Sequence, residues 1–275
     1  MNVTSTGTGR VAAALATARA ENRAALIGYL PAGFPSVPGS IAALRAMIDG
    51  GVDIVEIGLP YSDPVLDGPV IQRASEAALA AGTTTTDVFR VTEALAERGV
   101  PVLCMTYWNP IERYGVDRFA EEFAAAGGSG LVTPDLIPEE AGGSGWFAAS
   151  DRHGLDRVFL VAPSSSTERI ELTAAAGRGF VYAASLMGVT GTGGAVRAVA
   201  AALVDRVRAV SGVPVCVGLG VSGARQAADI AAAADGVIVG AGFVRRLLDA
   251  ATPEAGVEAV RAFAAELADG VRARP

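Results

Sequence analysis

The chain is poor in the side chains that carry metal, redox and imine chemistry. One histidine and two cysteines stand among 275 residues, which leaves too few parts for a His-based metal site or a Ser-His-Asp triad. Cys104 and Cys216 each sit inside an apolar, strand-like run, where a free thiol behaves as a small hydrophobe, so no disulfide is expected. No lysine is positioned to form a Schiff base, the cations being carried by arginine, and this disfavours a class I aldolase. The missing histidine cluster disfavours a metal-dependent one equally. His153 lies among Asp151, Arg152 and Gly154 in what reads as an exposed helix end, and it takes no role.

Long apolar runs are missing too. None could span a bilayer, and residues 1–9 form a Ser/Thr/Gly tail without the charged and apolar regions of a signal peptide, so a soluble, cytoplasmic protein is expected. The formal net charge is -7, the sequence pI is about 4.9, and the arginines are scattered. That pattern carries neither a nucleic-acid nor an anionic-membrane footprint.

What is present is core. With 51% hydrophobic and 19% charged residues and no compositional break, the chain reads as a flexible tail, 1–9, followed by one domain, 10–275. Residues 10–20 have helical spacing ahead of a first strand at 25–30. Short apolar strands then alternate with helical patterns: strands at 52–58, 101–106, 130–133, 158–161, 179–184, 213–218 and 236–239, with helices between them. The segment 107–110 reads as loop. The helix over 139–151 is expected to start late because Gly142, Gly143 and Gly145 lower its propensity. Strands buried on both faces at this spacing fit a (β/α)8 TIM barrel with an extra N-terminal helix and a short phosphate-binding helix, 243–248, after strand 8. A doubly wound sheet would place Gly-x-Gly-x-x-Gly after the first strand, where Pro31-Ala-Gly-Phe-Pro35 stands instead.

The stretch that organises the chain is Val52-Asp-Ile-Val-Glu-Ile-Gly-Leu-Pro-Tyr-Ser-Asp-Pro-Val-Leu-Asp-Gly-Pro-Val-Ile-Gln72. It begins as a buried strand yet carries Glu56, and a carboxylate there is expensive unless it is partnered or used. Prolines and glycines then force a loop that displays Asp63 and Asp67 above the strand end. Taken alone, Glu56 reads at least as well as a hydrogen-bonded buried acid, and each aspartate as a turn former. Glycine-bearing segments at 188–191, 218–222 and 240–242 follow three consecutive late strands. Glycine lets backbone N–H groups approach an anion at a helix N-terminus, so together they point to a phosphate. A phosphorylated substrate with acid-base chemistry at its far end follows from the two sets.

The 52–72 stretch is very similar to the signature of tryptophan synthase alpha chains, and Thr106-Tyr-Trp-Asn-Pro110, Asp135-Leu-Ile-Pro-Glu-Glu140, Gly188-Val-Thr-Gly191 and Gly218-Leu-Gly-Val-Ser222 resemble that family in the same order. The resemblance implies a barrel that cleaves indole-3-glycerol phosphate to indole and glyceraldehyde 3-phosphate. It needs no cofactor or metal of its own, and it docks a pyridoxal-phosphate-dependent beta chain in an alpha-beta-beta-alpha heterotetramer. By position, Glu56 matches the general acid/base, Asp67 the carboxylate holding the indole N–H, and Tyr182 a tyrosine near Glu56. Tyr107, Met105 and Leu219 match walls of the indole pocket, and Thr190 the loop that closes over substrate. Gly191, Gly220 and Gly240 match phosphate contacts, as does Ala241 through its backbone, where many members have serine. Pro60, Asp63, Asn109 and Pro110 fall at the expected partner interface. Phe34, where an aspartate is common, and the segment 142–145 depart from the pattern. A non-catalytic regulator of a beta chain, or a related barrel acting on an indole or imidazole precursor, are the competing readings.

Overall fold

A computed structural model describes residues 9–184, 193–218 and 220–273, with 193–197 described by backbone only. The strands are β1 (Ala25–Pro31), β2 (Ile54–Gly58), β3 (Val102–Met105), β4 (Gly130–Val132), β5 (Asp156–Val158), β6 (Leu160–Val161), β7 (Val181–Ala184), β8 (Val215–Gly218) and β9 (Gly236–Val239). All pair in parallel, in the order β5-β4-β3-β2-β1-β9-β8-β7-β6. β5 and β6 are consecutive pieces of one strand joined through Phe159, so the series closes on itself as an eight-unit TIM barrel.

The first helices are α1 (Arg10–Ala20), α2 (Val37–Asp49), α3 (Pro69–Ala80), α4 (Thr85–Ala96), α5 (Trp108–Tyr114) and α6 (Val116–Ala125). They are followed by α7 (Pro138–Gly143), α8 (Trp146–His153), α9 (Thr167–Ala176), α10 (Gly193–Val210), α11 (Ala224–Ala231), α12 (Ala241–Leu248) and α13 (Pro253–Arg272). None among the described residues is long and apolar enough to cross a membrane.

Strand alternation sorts the core into two shells. Val55, Ile57, Val102, Cys104, Leu131, Val215, Val217, Val237 and Val239 point outward under the helices. Ala25, Ile27, Ile54, Leu103, Val132, Val158, Cys216 and Ile238 point inward, and Val11, Leu15 and Ala18 of α1 join them, sealing the bottom of the barrel. Phe34 is buried in the outer shell, an apolar residue in an apolar place. Arg23 grips Asp53 through two bonds of 2.6 and 2.8 Å, and Asp53 also accepts from the Leu26 N–H at 2.8 Å. The strand bottoms are thereby pinned, while their upper ends remain for chemistry.

Four expectations need correction. The segment after β3 is helical, not a loop: α5 begins at Trp108, its first N–H donating to the Asp135 carboxylate at 2.9 Å. Pro110 lies in its first turn, where no intrahelical donor is needed, so proline does not break it. The helix expected to start late is two helices, α7 and α8, parted at Gly145 with φ 83°, a conformation that suits glycine. The fifth strand begins earlier than read, at Asp156, and is divided. His153 does end α8, but its side chain is 18% exposed and rests 3.3 Å from Asp117.

Candidate active site

In β2 the parity that sends Val55 and Ile57 outward turns Ile54, Glu56 and Gly58 inward. Glu56 is fully buried, and neither carboxyl oxygen has a hydrogen-bond partner. Burial alone pushes its pKa up from 4.5 to about 8. The group is therefore mainly protonated at neutral pH and can give a proton as readily as take one back.

Asp67 reaches the same end of the barrel through the loop that follows β2. Tyr107 clamps that loop: its hydroxyl accepts from the Leu66 N–H at 2.9 Å and donates to Asp67 Oδ1 at 2.9 Å. The Gln72 amide donates to the Asp67 carbonyl at 2.8 Å. Half-burial raises the Asp67 pKa and the Tyr107 hydrogen bond draws it back, while burial pushes Tyr107 up to about 12. Tyr107 thus does more than line a pocket, since it sets where the second carboxylate stands.

Tyr182 faces inward from β7, between Leu160 and Cys216 in register, and a β-carbon at Gly218 would collide with its hydroxyl. Burial first, and then the Glu56 charge, raise its pKa. Met105 is paired with Gly58 and packs against the inner shell. Tyr29 belongs beside these and was not singled out from sequence. It faces inward from β1 in register with Glu56, and burial first, then the charges of Asp67 and Glu56, raise the pKa of its phenol. The signal was its parity with Ala25 and Ile27, two and one inward steps earlier.

At the same end of the barrel Gly240 follows β9 and caps α12, whose first residues are Ala241 and Gly242. The leading N–H groups of a helix have no partner within it, and Gly220, with φ 40°, follows β8 nearby in sequence. Thr190, Gly191 and Leu219 lie outside the described residues. Of the four positions expected at a partner interface, Asp63 is exposed and accepts from the Ser62 hydroxyl at 2.6 Å. Asn109 is exposed and donates to the Tyr61 hydroxyl at 3.2 Å, Pro110 is half-buried, and Pro60 is buried within the chain. Two apolar neighbours unread from sequence are far more open: Val65 is 74% and Leu66 48% exposed, with Ile137 at 41% after β4. Their signal was apolar residues set between two aspartates of a Pro/Gly loop.

A closed β/α barrel with a buried, unpartnered acid, a clamped second carboxylate and a glycine-capped helix where its strands end has the architecture of the TIM-barrel enzymes. Residues 15–272 match the family model described as tryptophan synthase alpha chain. The chain is 62% identical over 262 residues to the tryptophan synthase alpha chain of Thermobifida fusca, covering 94% of this chain and 96% of that one. It is 60% identical over 259 residues to that of Streptomyces coelicolor, covering 94% and 95%. Among solved structures, the open form of tryptophan synthase from M. tuberculosis superposes with a TM-score of 0.88 at 52% identity, covering 96% of this chain and 99% of that one. Tryptophan synthase subunit alpha from Legionella pneumophila does so at 0.87 and 33% identity, covering 96% and 98%. The chain belongs to the tryptophan synthase alpha chain family, the lyase subunit that cleaves indole-3-glycerol phosphate in tryptophan biosynthesis.

Proposed function

We propose that Glu56 and Asp67 carry the cleavage of indole-3-glycerol phosphate, Glu56 as general acid and base and Asp67 as the counter-charge at the indole nitrogen. The observation that carries this reading is the fully buried Glu56 carboxyl, without a hydrogen-bond partner and with a pKa near 8. Protonated Glu56 delivers its proton to indole C3, and positive charge appears on the ring nitrogen. Asp67, held by Tyr107, stabilises that charge where water is scarce. Glu56, now a carboxylate, takes the proton from the glycerol hydroxyl on the carbon bound to C3. That carbon becomes the aldehyde, the C–C bond pair returns to the indole ring, and Glu56 ends protonated as it began. Tyr182 flanks Glu56, Met105 and Leu219 wall the indole, and Thr190 belongs to the loop that shuts out water. The N–H groups at Gly191, Gly220, Gly240 and Ala241 take the phosphate, where Ala241 offers a backbone donor without the serine hydroxyl.

The beta chain docks on the rim that carries Asp63, Asn109 and Pro110, with Val65, Leu66 and Ile137 as its apolar centre. The exposure of Val65, Leu66 and Ile137 on the loops that follow β2 and β4 supports this, since clustered exposed apolar residues mark surfaces that another protein covers. An alpha-beta-beta-alpha assembly, pyridoxal phosphate confined to the beta chain and a cytoplasmic location complete the reading. The test is indole release from indole-3-glycerol phosphate by the purified chain and by Glu56→Gln, each with and without a beta chain. Unimpaired release by the Gln variant would remove Glu56 from the chemistry.

A further inference from the structure

The loop that carries Asp67 leaves the barrel after Leu59, whose N–H donates to the Met105 carbonyl at 3.0 Å, and ends at Gly68, the N-cap of α3. Between these points the start of α5 holds it in two places. Near the beginning, the Asn109 side-chain amide donates to the Tyr61 hydroxyl at 3.2 Å. Near the end, the Tyr107 hydroxyl accepts from the Leu66 N–H and donates to Asp67 Oδ1, each at 2.9 Å. Val65, in the arc between the two holds, is 74% exposed, so core packing does not fix the arc's course. The holds do.

The two holds are also joined to each other. The rings of Tyr61 and Tyr107 lie 5.2 Å apart, centroid to centroid, with 33° between their planes. At that separation aromatic rings attract beyond what their burial supplies. Tyr107 is the N-cap of α5 and Asn109 lies in its first turn, so both side chains grow from one short element whose own first N–H is held by Asp135. A phenol hydroxyl has a single hydrogen. While that of Tyr107 accepts from Leu66, its hydrogen is directed to the carboxylate, and a tilt of the ring would lengthen both bonds. Tyr61, half-buried, is the aromatic contact that the loop itself supplies to that ring.

We propose that Tyr61 is a positioning residue for the cleavage: tied to Asn109 and packed on Tyr107, it keeps the Tyr107 hydroxyl seated between Leu66 and Asp67, and so holds the second carboxylate where the indole nitrogen develops its charge. It acts through Tyr107 and transfers no proton. This rests on the role assigned above to Asp67. It also accounts for a ring with a polar tip at a half-buried place, since phenylalanine would fill the same space but only tyrosine also reaches Asn109.

The test is indole release by the full chain, alone and with beta chain, for Tyr61→Phe, which removes the tie to Asn109, and for Tyr61→Leu, which removes the ring as well. Losing one exposed hydrogen bond should lower kcat about two- to fivefold, and losing the ring too roughly 5- to 30-fold. KM should change by less than about threefold, because Asp67 acts on charge that appears in the transition state. A slackened Tyr107 donates less to Asp67, which raises the pKa of that carboxylate, so the acidic limb of the kcat profile should move to higher pH in Tyr61→Leu, as in Tyr107→Phe. In a Tyr107→Phe background the hydroxyl is already gone, and Tyr61→Leu should lower kcat by less than about twofold further. An equal further loss in that background would overturn the inference. So would a Leu variant that matches the unchanged protein, or a fall confined to the complex, which would make Tyr61 a docking contact only. The two readings fail separately: full kcat in Asp67→Asn rejects the role of the carboxylate, whereas an impaired Asp67→Asn beside a Tyr61→Leu effect that persists without the Tyr107 hydroxyl rejects only the part of Tyr61.

Discussion

Replacing Glu56 by glutamine should abolish turnover and make the protein more stable. The side chain keeps its shape, so packing in the inner shell is preserved, while the group that titrates is gone. In the unfolded chain the carboxyl ionises around 4.5, but in the fold burial holds it protonated until about 8. As pH rises through that window the unfolded state loses its proton and the native state does not, so native stability falls; below it, both states are protonated and the penalty vanishes. At about 1.4 kcal/mol for each unit of pKa difference, the unchanged protein loses on the order of 3 kcal/mol between pH 5 and pH 8 on account of this one residue. The Gln variant should lose none of it and should melt roughly 6 °C higher, relative to the unchanged protein, at pH 8 than at pH 5. Urea or thermal unfolding of both proteins at pH 5, 7 and 8 measures the difference directly. Indole release should fall by at least ~10²- to 10⁴-fold in the same preparations. Stability curves that run parallel from pH 5 to pH 8 would refute the claim that Glu56 is held protonated by burial.

Asp67→Asn should lower kcat by about 10²- to 10³-fold and change KM much less, because the charge at the indole nitrogen appears mainly in the transition state; an unchanged kcat with a raised KM would contradict this. Gly58→Ala should push the Tyr29 hydroxyl aside and cost about 1–3 kcal/mol of stability with a loss of turnover, as overpacking in a closed inner shell does; a crystal structure with Tyr29 unmoved would count against the crowding argument. Asp63→Ala should reduce, several-fold, the ratio of activity with beta chain to activity without it, because its loop carries both the exposed rim and Asp67. A titration with beta chain that accelerates the variant as fully as the unchanged protein would return Asp63 to the status of a turn residue.

Much of the fold was legible because it depends on local periodicity. The apolar β-branched runs, and the glycines and prolines between them, mark eight strand-helix units whatever the rest of the chain does, and the boundaries of α1 and β9 agree to the residue. The 52–72 stretch was legible for a related reason: a carboxylate in a buried strand contradicts its surroundings, and such a contradiction is visible without coordinates. Elements whose identity depends on distant partners were not legible. The first N–H of helix α5 is held by Asp135, which comes from another strand's loop, and the segment 107–110 by itself read as loop. The break between α7 and α8 follows from where Gly145 adopts a left-handed turn, which four small residues in a row do not announce.

The site divides in the same way. Which residues could do acid-base chemistry was determined by the sequence, since glutamate, aspartate and tyrosine bring their chemistry with them, and strand parity already assigns Glu56 to one face. What each can do at a given pH was decided only by tertiary structure. Closure of the barrel removes water from around Glu56 and raises its pKa, a consequence of eight strands meeting and not of any neighbour in sequence. The fold also brings Tyr107, just beyond β3, onto Asp67, some forty residues away in sequence, and sets the Tyr29 ring against Gly58 and Gly240. Solvent exclusion and contact between strands far apart in the chain are long-range effects, and a linear sequence holds their ingredients without their distances.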